Sequence, residues 1–248
     1  MNCIFICVFN QEKYVEMFFL LLESILLYGK LDENTEILVY TSTLFMDKIK
    51  QNPLYNDKIK FELQDSYHSI DTACKARLDL FDLLSISRYD KILYLDTDIL
   101  VKDDVRKVFD VCKDDILYVL EESTIDHHWD YWGKTLFGNE VHQYPDKSAF
   151  TSGILLFRNC PMIKFMFDKI NDDIVARPYP FECCDQPYII YSAFKYKLFN
   201  NKLLKTLVIN NDENIHSDKV IHHFPGGPGI YHKKISVMTI FLNKLKTI

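Results

Sequence analysis

Lys91-Ile92-Leu93-Tyr94-Leu95-Asp96-Thr97-Asp98-Ile99-Leu100-Val101 is the stretch on which the architecture turns. Lys91–Leu95 is short, apolar and rich in the residue types that favour a buried strand. Two carboxylates stand at its carboxyl end, where open α/β sheets gather their ligands. Carboxylates at i and i+2 on extended backbone leave a strand on the same face. They can share one hard cation, and that cation can bridge the phosphates of a nucleotide. A bare Asp-x-Asp carries little information, but this is the only one in the chain and it caps a strand.

Outward from that strand the pattern alternates. Ile4–Phe9, Glu36–Tyr40 and Ile59–Leu63 read as strands, with a helix over Val15–Tyr28 and a short one around Phe45–Lys50. Asp71 is a candidate N-cap for a helix running to about Ser85, with Ala73, Ala76, Leu80 and Leu84 on one face. Ile116–Leu120 and Gly153–Phe157 read as strands, Pro161 opens a helix, and Pro187–Phe194 is helical. Leu207–Ile209 and Val220–Ile221 look like strand ends, and Ile235–Leu245 like a closing helix. The alternation predicts an α/β fold with a single doubly wound, mainly parallel sheet.

Composition limits the function classes. At 248 residues and 48% hydrophobic, the chain has ample core for one domain over 1–248. A net charge of -6 and no basic tract disfavour nucleic acid as a partner. The seven cysteines lack framework spacing, which predicts free thiols and a cytoplasmic setting. The apolar start, Met1 to Phe9, lacks a basic leader and a cleavage site and reads as the first strand. Met17–Leu22 and Ile25–Leu27 are interrupted by Glu23 and are too short for a transmembrane segment.

Four motifs in order then give the chain a resemblance. Asp96-Thr97-Asp98 is followed by Thr151-Ser152-Gly153-Ile154-Leu155-Leu156-Phe157, then Asp185-Gln186, then His223-Phe224-Pro225-Gly226. Together they resemble the glycogenin-like retaining glycosyltransferases of family eight. The resemblance extends from Phe9-Asn10 to the glycine-rich segment near the end. It implies the nucleotide-sugar transferase type A fold, with a nucleotide-binding half over about 1–100 and an acceptor-side half over about 101–248. It also implies a UDP-sugar donor, a glycan or protein acceptor, Mn²⁺ with Mg²⁺ as the alternative, and transfer with retention.

Site residues follow from the same match. Asp96, Asp98 and His223 are implied as metal ligands, a set that suits Mn²⁺ better than Ca²⁺ or a closed zinc site. His223 is preferred over His222 because it stands three residues before Gly226. Thr97 belongs to the same donor-binding segment. Arg77 would fork onto a phosphate or sugar oxygen, and Phe9, Asn10 and Tyr14 would cradle uracil. Gly226 and Gly229 would bring backbone N–H groups to phosphate. Gly229 replaces the family's usual lysine, so Lys233 or Lys234 would supply that cation, Lys233 being the first choice. Thr151 stands where many members carry asparagine, and Ser152 follows it. Asp185 and Gln186 are expected beside the anomeric carbon, with front-face attack preferred over double displacement by Asp185.

Other readings remain at this stage. Asp96-Thr97-Asp98 also fits a haloacid-dehalogenase-type phosphatase, although Leu100 stands where that pattern wants Thr or Val. The 15 tyrosines leave room for a self-glycosylating primer. Glu121–Phe150 lacks periodicity and holds both tryptophans, so it reads as an acceptor-side lid. The adjacent His127 and His128 are a weak second metal candidate. The final helix is expected as docked core, with a homodimer surface or an interfacial membrane helix as alternatives.

Overall fold

The computed structural model describes residues 1–178, 183–226 and 231–248. Its strands are β1 (Asn2–Val8), β2 (Thr35–Thr41), β3 (Ile59–Leu63), β4 (Lys91–Leu95), β5 (Ile99–Val101), β6 (Leu117–Thr124), β7 (Ser148–Arg158), β8 (Phe199–Asn200), β9 (Val208–Asn210) and β10 (Ile221–His223). The helices are α1 (Glu12–Tyr28), α2 (Thr43–Gln51), α3 (Ile70–Lys75), α4 (Arg106–Asp110), α5 (Lys134–Phe137), α6 (Pro161–Ala176), α7 (Gln186–Tyr196) and α8 (Tyr231–Leu245).

A seven-stranded sheet runs in the order β3-β2-β1-β4-β7-β6-β8. Its first four strands are parallel, and β7 runs antiparallel to both β4 and β6. The sheet is therefore parallel from β3 to β4 and mixed beyond β4. Period-two alternation explains why it is covered on both faces. In β1, Cys3 and Phe5 face one core while Ile4, Ile6 and Val8 face the other. In β4, Ile92 and Tyr94 join the first core and Leu93 and Leu95 the second.

β4 lies at the centre of this sheet, so Asp96 and Asp98 emerge from its middle. A second sheet, β5-β10-β9, sits beside them. β10 pairs antiparallel with β5, placing His223 opposite Ile99 and His222 opposite Leu100. The Phe224 N–H donates to the Asp98 carbonyl at 2.9 Å, tying the histidine strand to the aspartate turn. Helix α8 packs Met238, Phe241 and Leu242 against Met17, Leu100 and Phe224, as expected for docked core.

Several expectations shift. The segment expected as one helix over 71–85 breaks: α3 ends at Lys75 and Ala76–Asp82 continues as a 3₁₀ helix. Three residues per turn replace 3.6, so the helical face does not persist, and Leu84 lies 92% exposed. Its N-cap is Ser69 in a capping box with Thr72, not Asp71. The 121–150 stretch is ordered: β6 extends to Thr124, a 3₁₀ turn covers Asp130–Trp132, and Phe137 is buried. Cys74 and Cys184 form a disulfide, against the expectation of free thiols throughout, while Cys3, Cys7, Cys112, Cys160 and Cys183 lie outside any disulfide. Their separation of 110 residues leaves no sequence signature. Among the described residues, no helix is long and apolar enough to cross a membrane.

Candidate active site

The turn after β4 sends two carboxylates into a pocket whose wall includes Cys7, Phe9, Tyr14, Arg77, Gly226 and Lys234. Thr97, only 5% exposed, also lines it. Asp96, Asp98 and His223 each direct one ligand atom inward, all within 4.8 Å of one another. His223 Nδ1 bonds Asn210 Oδ1 at 2.8 Å, which leaves Nε2 towards Asp98 Oδ1 at 3.4 Å. Such a second bond fixes the ring and makes Nε2 the free ligand nitrogen. The neighbouring His222 points the other way, its Nδ1 on the Asp212 carbonyl and its ring 4.7 Å from that of Phe241. Strand alternation thus separates the two histidines as the spacing argument requires.

This donor set fits a divalent cation. Asp98 Oδ1 is buried and has no hydrogen-bond partner, a costly condition that a cation would relieve. Gly153 holds the cradle open: a Cβ there would stand 2.8 Å from His223 Cε1 and 3.0 Å from Asp96 Oδ2. The His127–His128 pair joins no such group among the described residues.

Lys234, in the first turn of α8, reaches Asp98 Oδ2 at 2.5 Å. Burial alone would raise the Asp98 carboxyl, but His223 and Lys234 hold it well below the ordinary carboxylate range. Lys233, the first choice from sequence, is exposed. A helix shows successive residues about 100° apart, so only one of the two lysines can face the pocket. Gly226 lines the pocket with φ 151°, whereas Gly229 lies outside the described residues.

Arg77 is placed at the site but spends its fork inward. Nε and Nη2 donate to the two Asp185 oxygens at 2.8 and 3.0 Å, and Nη1 donates to the Ser152 carbonyl at 2.6 Å. Nη1 also stands 3.5 Å from Asp96 Oδ1. With five N–H donors, the guanidinium keeps only one without these partners for a ligand. Burial opposes its charge, but Asp185, Tyr94 and Asp96 outweigh that and hold the cation. The Tyr94 hydroxyl donates to Asp96 Oδ1, and the Arg77 guanidinium lies 4.8 Å from the Tyr94 ring.

Asp185 is fully buried by this clamp rather than open to the pocket. Gln186 accepts from the Ser152 N–H at 2.9 Å and from its hydroxyl at 3.2 Å, and donates to the Tyr131 carbonyl at 3.0 Å. Thr151 is buried and accepts from the Gly153 N–H at 3.3 Å. Phe9 is 2% exposed and packed edge-on against Tyr40 and Tyr67, which makes it wall rather than stacking platform. Asn10 has a left-handed backbone, φ 72°, and its buried Nδ2 has no partner. Sequence reasoning had no signal for Asn210 or Tyr94, whose roles arise from contacts. Gly153 was visible in its motif without an assigned role.

Comparison with known proteins identifies the fold and the family. The chain aligns over its full length with the galactosyltransferase LgtC, solved with donor and acceptor sugar analogs, at 15% identity and TM-score 0.66, covering 97% of that protein. Mouse xyloside xylosyltransferase 1 matches over 90% of this chain and 98% of its own, at 13% identity and TM-score 0.61. The bifunctional glycosyltransferase WbbM matches at 15% identity and TM-score 0.65, and the chain spans about half of it, 51%. At these identities the likeness establishes the type A fold. No curated protein matches in sequence. The profile of glycosyl transferase family 8 matches residues 24–161, more than half the chain and inclusive of Arg77, Asp96, Asp98 and Gly153. The chain belongs to glycosyl transferase family 8.

Proposed function

We propose that this glycosyltransferase is a divalent-metal-dependent, retaining hexosyltransferase that takes its sugar from a UDP-sugar and delivers it to a hydroxyl acceptor. One observation carries the reading: Asp96 and Asp98, clustered with His223, line a pocket that also holds Arg77 and Lys234. Two cationic side chains beside a metal-ligand triad suit a diphosphate. Mn²⁺ bound by the triad would act as Lewis acid, drawing charge from the departing nucleotide. Lys234 would neutralise a phosphate oxygen, in the role first given to Lys233. Asn10, with its unpartnered amide nitrogen, is suited to donate to a uracil oxygen, and Tyr14 lines the pocket.

The burial of Asp185 bears on stereochemistry. A covalent nucleophile needs an oxygen open to the anomeric carbon, and both Asp185 oxygens are held by Arg77. Front-face attack therefore suits the site better than double displacement. Asp185 then acts as a positioning residue that holds Arg77 against the Ser152 carbonyl. Gln186, bonded to Ser152 and Tyr131, joins the donor wall to the 130–132 turn.

The deciding experiment is hydrolysis of a UDP-sugar panel with and without Mn²⁺. Turnover of one UDP-hexose only with metal, lost in Asp96→Asn and Asp98→Asn, is the expected result. Metal-independent turnover, or exclusive use of a non-uridine donor, would overturn the assignment.

A further inference from the structure

A row of aromatic rings lies beside the donor site, and the chemistry proposed above leaves it without a role. The 3₁₀ turn Asp130–Trp132 follows Trp129, and the Trp129 and Tyr131 rings are parallel within 11° at 5.8 Å. Trp132 meets Tyr131 at 5.6 Å and His127 edge-on at 4.8 Å. Trp129 is 53% exposed, the reverse of what a core indole does.

The turn is fastened to the reaction centre. Gln186 Nε2 donates to the Tyr131 carbonyl at 3.0 Å, while its Oε1 accepts from Ser152 in the donor wall. Gly133 follows with φ 85°, and a Cβ there would stand 3.0 Å from the Pro187 carbonyl, so the turn rests directly on the start of α7. Phe137 anchors the far side through Tyr144, Tyr191 and Phe194. The rings are held on a packed support, one side chain away from the donor wall.

We propose that Trp129, Tyr131 and Trp132 form the acceptor subsite and that its occupant is a pyranose ring of a saccharide. This rests on the hexosyltransferase reading and names the acceptor class. Parallel rings with an exposed indole offer π-faces to the apolar C–H face of a sugar ring. Polar atoms of the same turn, Trp132 Nε1 and Asp130 Oδ2, are buried without partners. One is a donor and the other an acceptor, and sugar hydroxyls serve both. A peptide tyrosine could stack on the rings but brings a single hydroxyl.

Both tryptophans of the chain belong to this row of rings, so their fluorescence reports the proposed subsite without labelling. The protein loaded with UDP and Mn²⁺ is titrated with methyl pyranosides, with lactose and cellobiose, and with N-acetyltyrosinamide. We expect a saturable shift with at least one saccharide and none with the tyrosine analogue. Trp132→Phe should retain a response from Trp129, and Trp129→Ala should weaken saccharide binding at least tenfold. With the donor found in the panel, the second readout is the share transferred to that saccharide rather than to water. That share should fall at least tenfold in Trp129→Ala. A response to N-acetyltyrosinamide alone, no response to any saccharide, or an unchanged share in Trp129→Ala would overturn the acceptor assignment. Absence of UDP-sugar hydrolysis by the unaltered protein would instead overturn the donor reading on which it stands.

Discussion

At the scale of single residues, Gly153 and Asn210 decide whether the triad can work. A methyl at position 153 would meet the His223 ring, which Asn210 holds at Nδ1, and the Asp96 carboxylate. Gly153→Ala should therefore weaken Mn²⁺ binding at least tenfold while leaving the sheet folded, as read by paramagnetic resonance titration and circular dichroism. Retained affinity would overturn the role given to Gly153. Asn210 acts one bond further out, on His223 Nδ1. Loss of such a partner typically costs about 10–100-fold in metal affinity, so Asn210→Ala should show that loss and Asn210→Asp much less of it. Sequence made the clustered triad legible: two carboxylates capping a strand, and one of two adjacent histidines chosen by spacing to Gly226. Asn210, and the choice of Lys234 over Lys233, were not legible because facing depends on how β9 and α8 dock.

Among the elements, those set by local period were readable and those set by tertiary contact were not. The strands around Asp96 and the helices α1 and α6 follow apolar spacing. The break of α3 into a 3₁₀ run is different, because it turns Arg77 onto Asp185, 108 residues away. Removing one partner of a buried, doubly bonded pair usually costs about 3–5 kcal/mol, since the other charge is stranded. Arg77→Met should thus lower stability by that order in urea unfolding, and by far more than Lys75→Met, whose i,i+4 partner Asp71 is exposed. Strand β10 offers a pH test. Burial lowers the His222 imidazole below its ordinary 6.5. The unfolded chain then binds that proton first, so stability is full above about pH 6.5 and declines as pH falls from there towards the folded value. His222→Phe should shrink the difference in melting temperature between about pH 7.5 and about pH 5.5. An unchanged difference would mean that other groups carry the acid sensitivity.

For the molecule as a whole, two links fasten the same distant segments. The Cys74–Cys184 disulfide joins α3 to the residue before Asp185, and three residues after Cys74 the Arg77–Asp185 pair repeats the connection. Each link alone holds the 3₁₀ run against the start of α7, and with them the floor of the pocket. Cross-linking residues 110 apart restricts the unfolded chain, and loss of such a link typically costs about 2–4 kcal/mol. Cys74→Ser/Cys184→Ser should lower the urea midpoint accordingly and lose sensitivity to reductant, and reductant should bring the unaltered protein to the same midpoint. Because both links order the same interface, their losses should not add. With one link present the segments stay in place and the other link's removal is partly absorbed, so the combined Cys74→Ser/Cys184→Ser/Arg77→Met chain should be destabilised by more than the sum of the separate losses. A double-mutant cycle by urea unfolding measures that excess, and coupling between contacting groups is usually about 0.5–3 kcal/mol. Strict additivity would mean that the disulfide acts on the unfolded chain alone, and that the pocket floor is held by the Arg77–Asp185 pair without it.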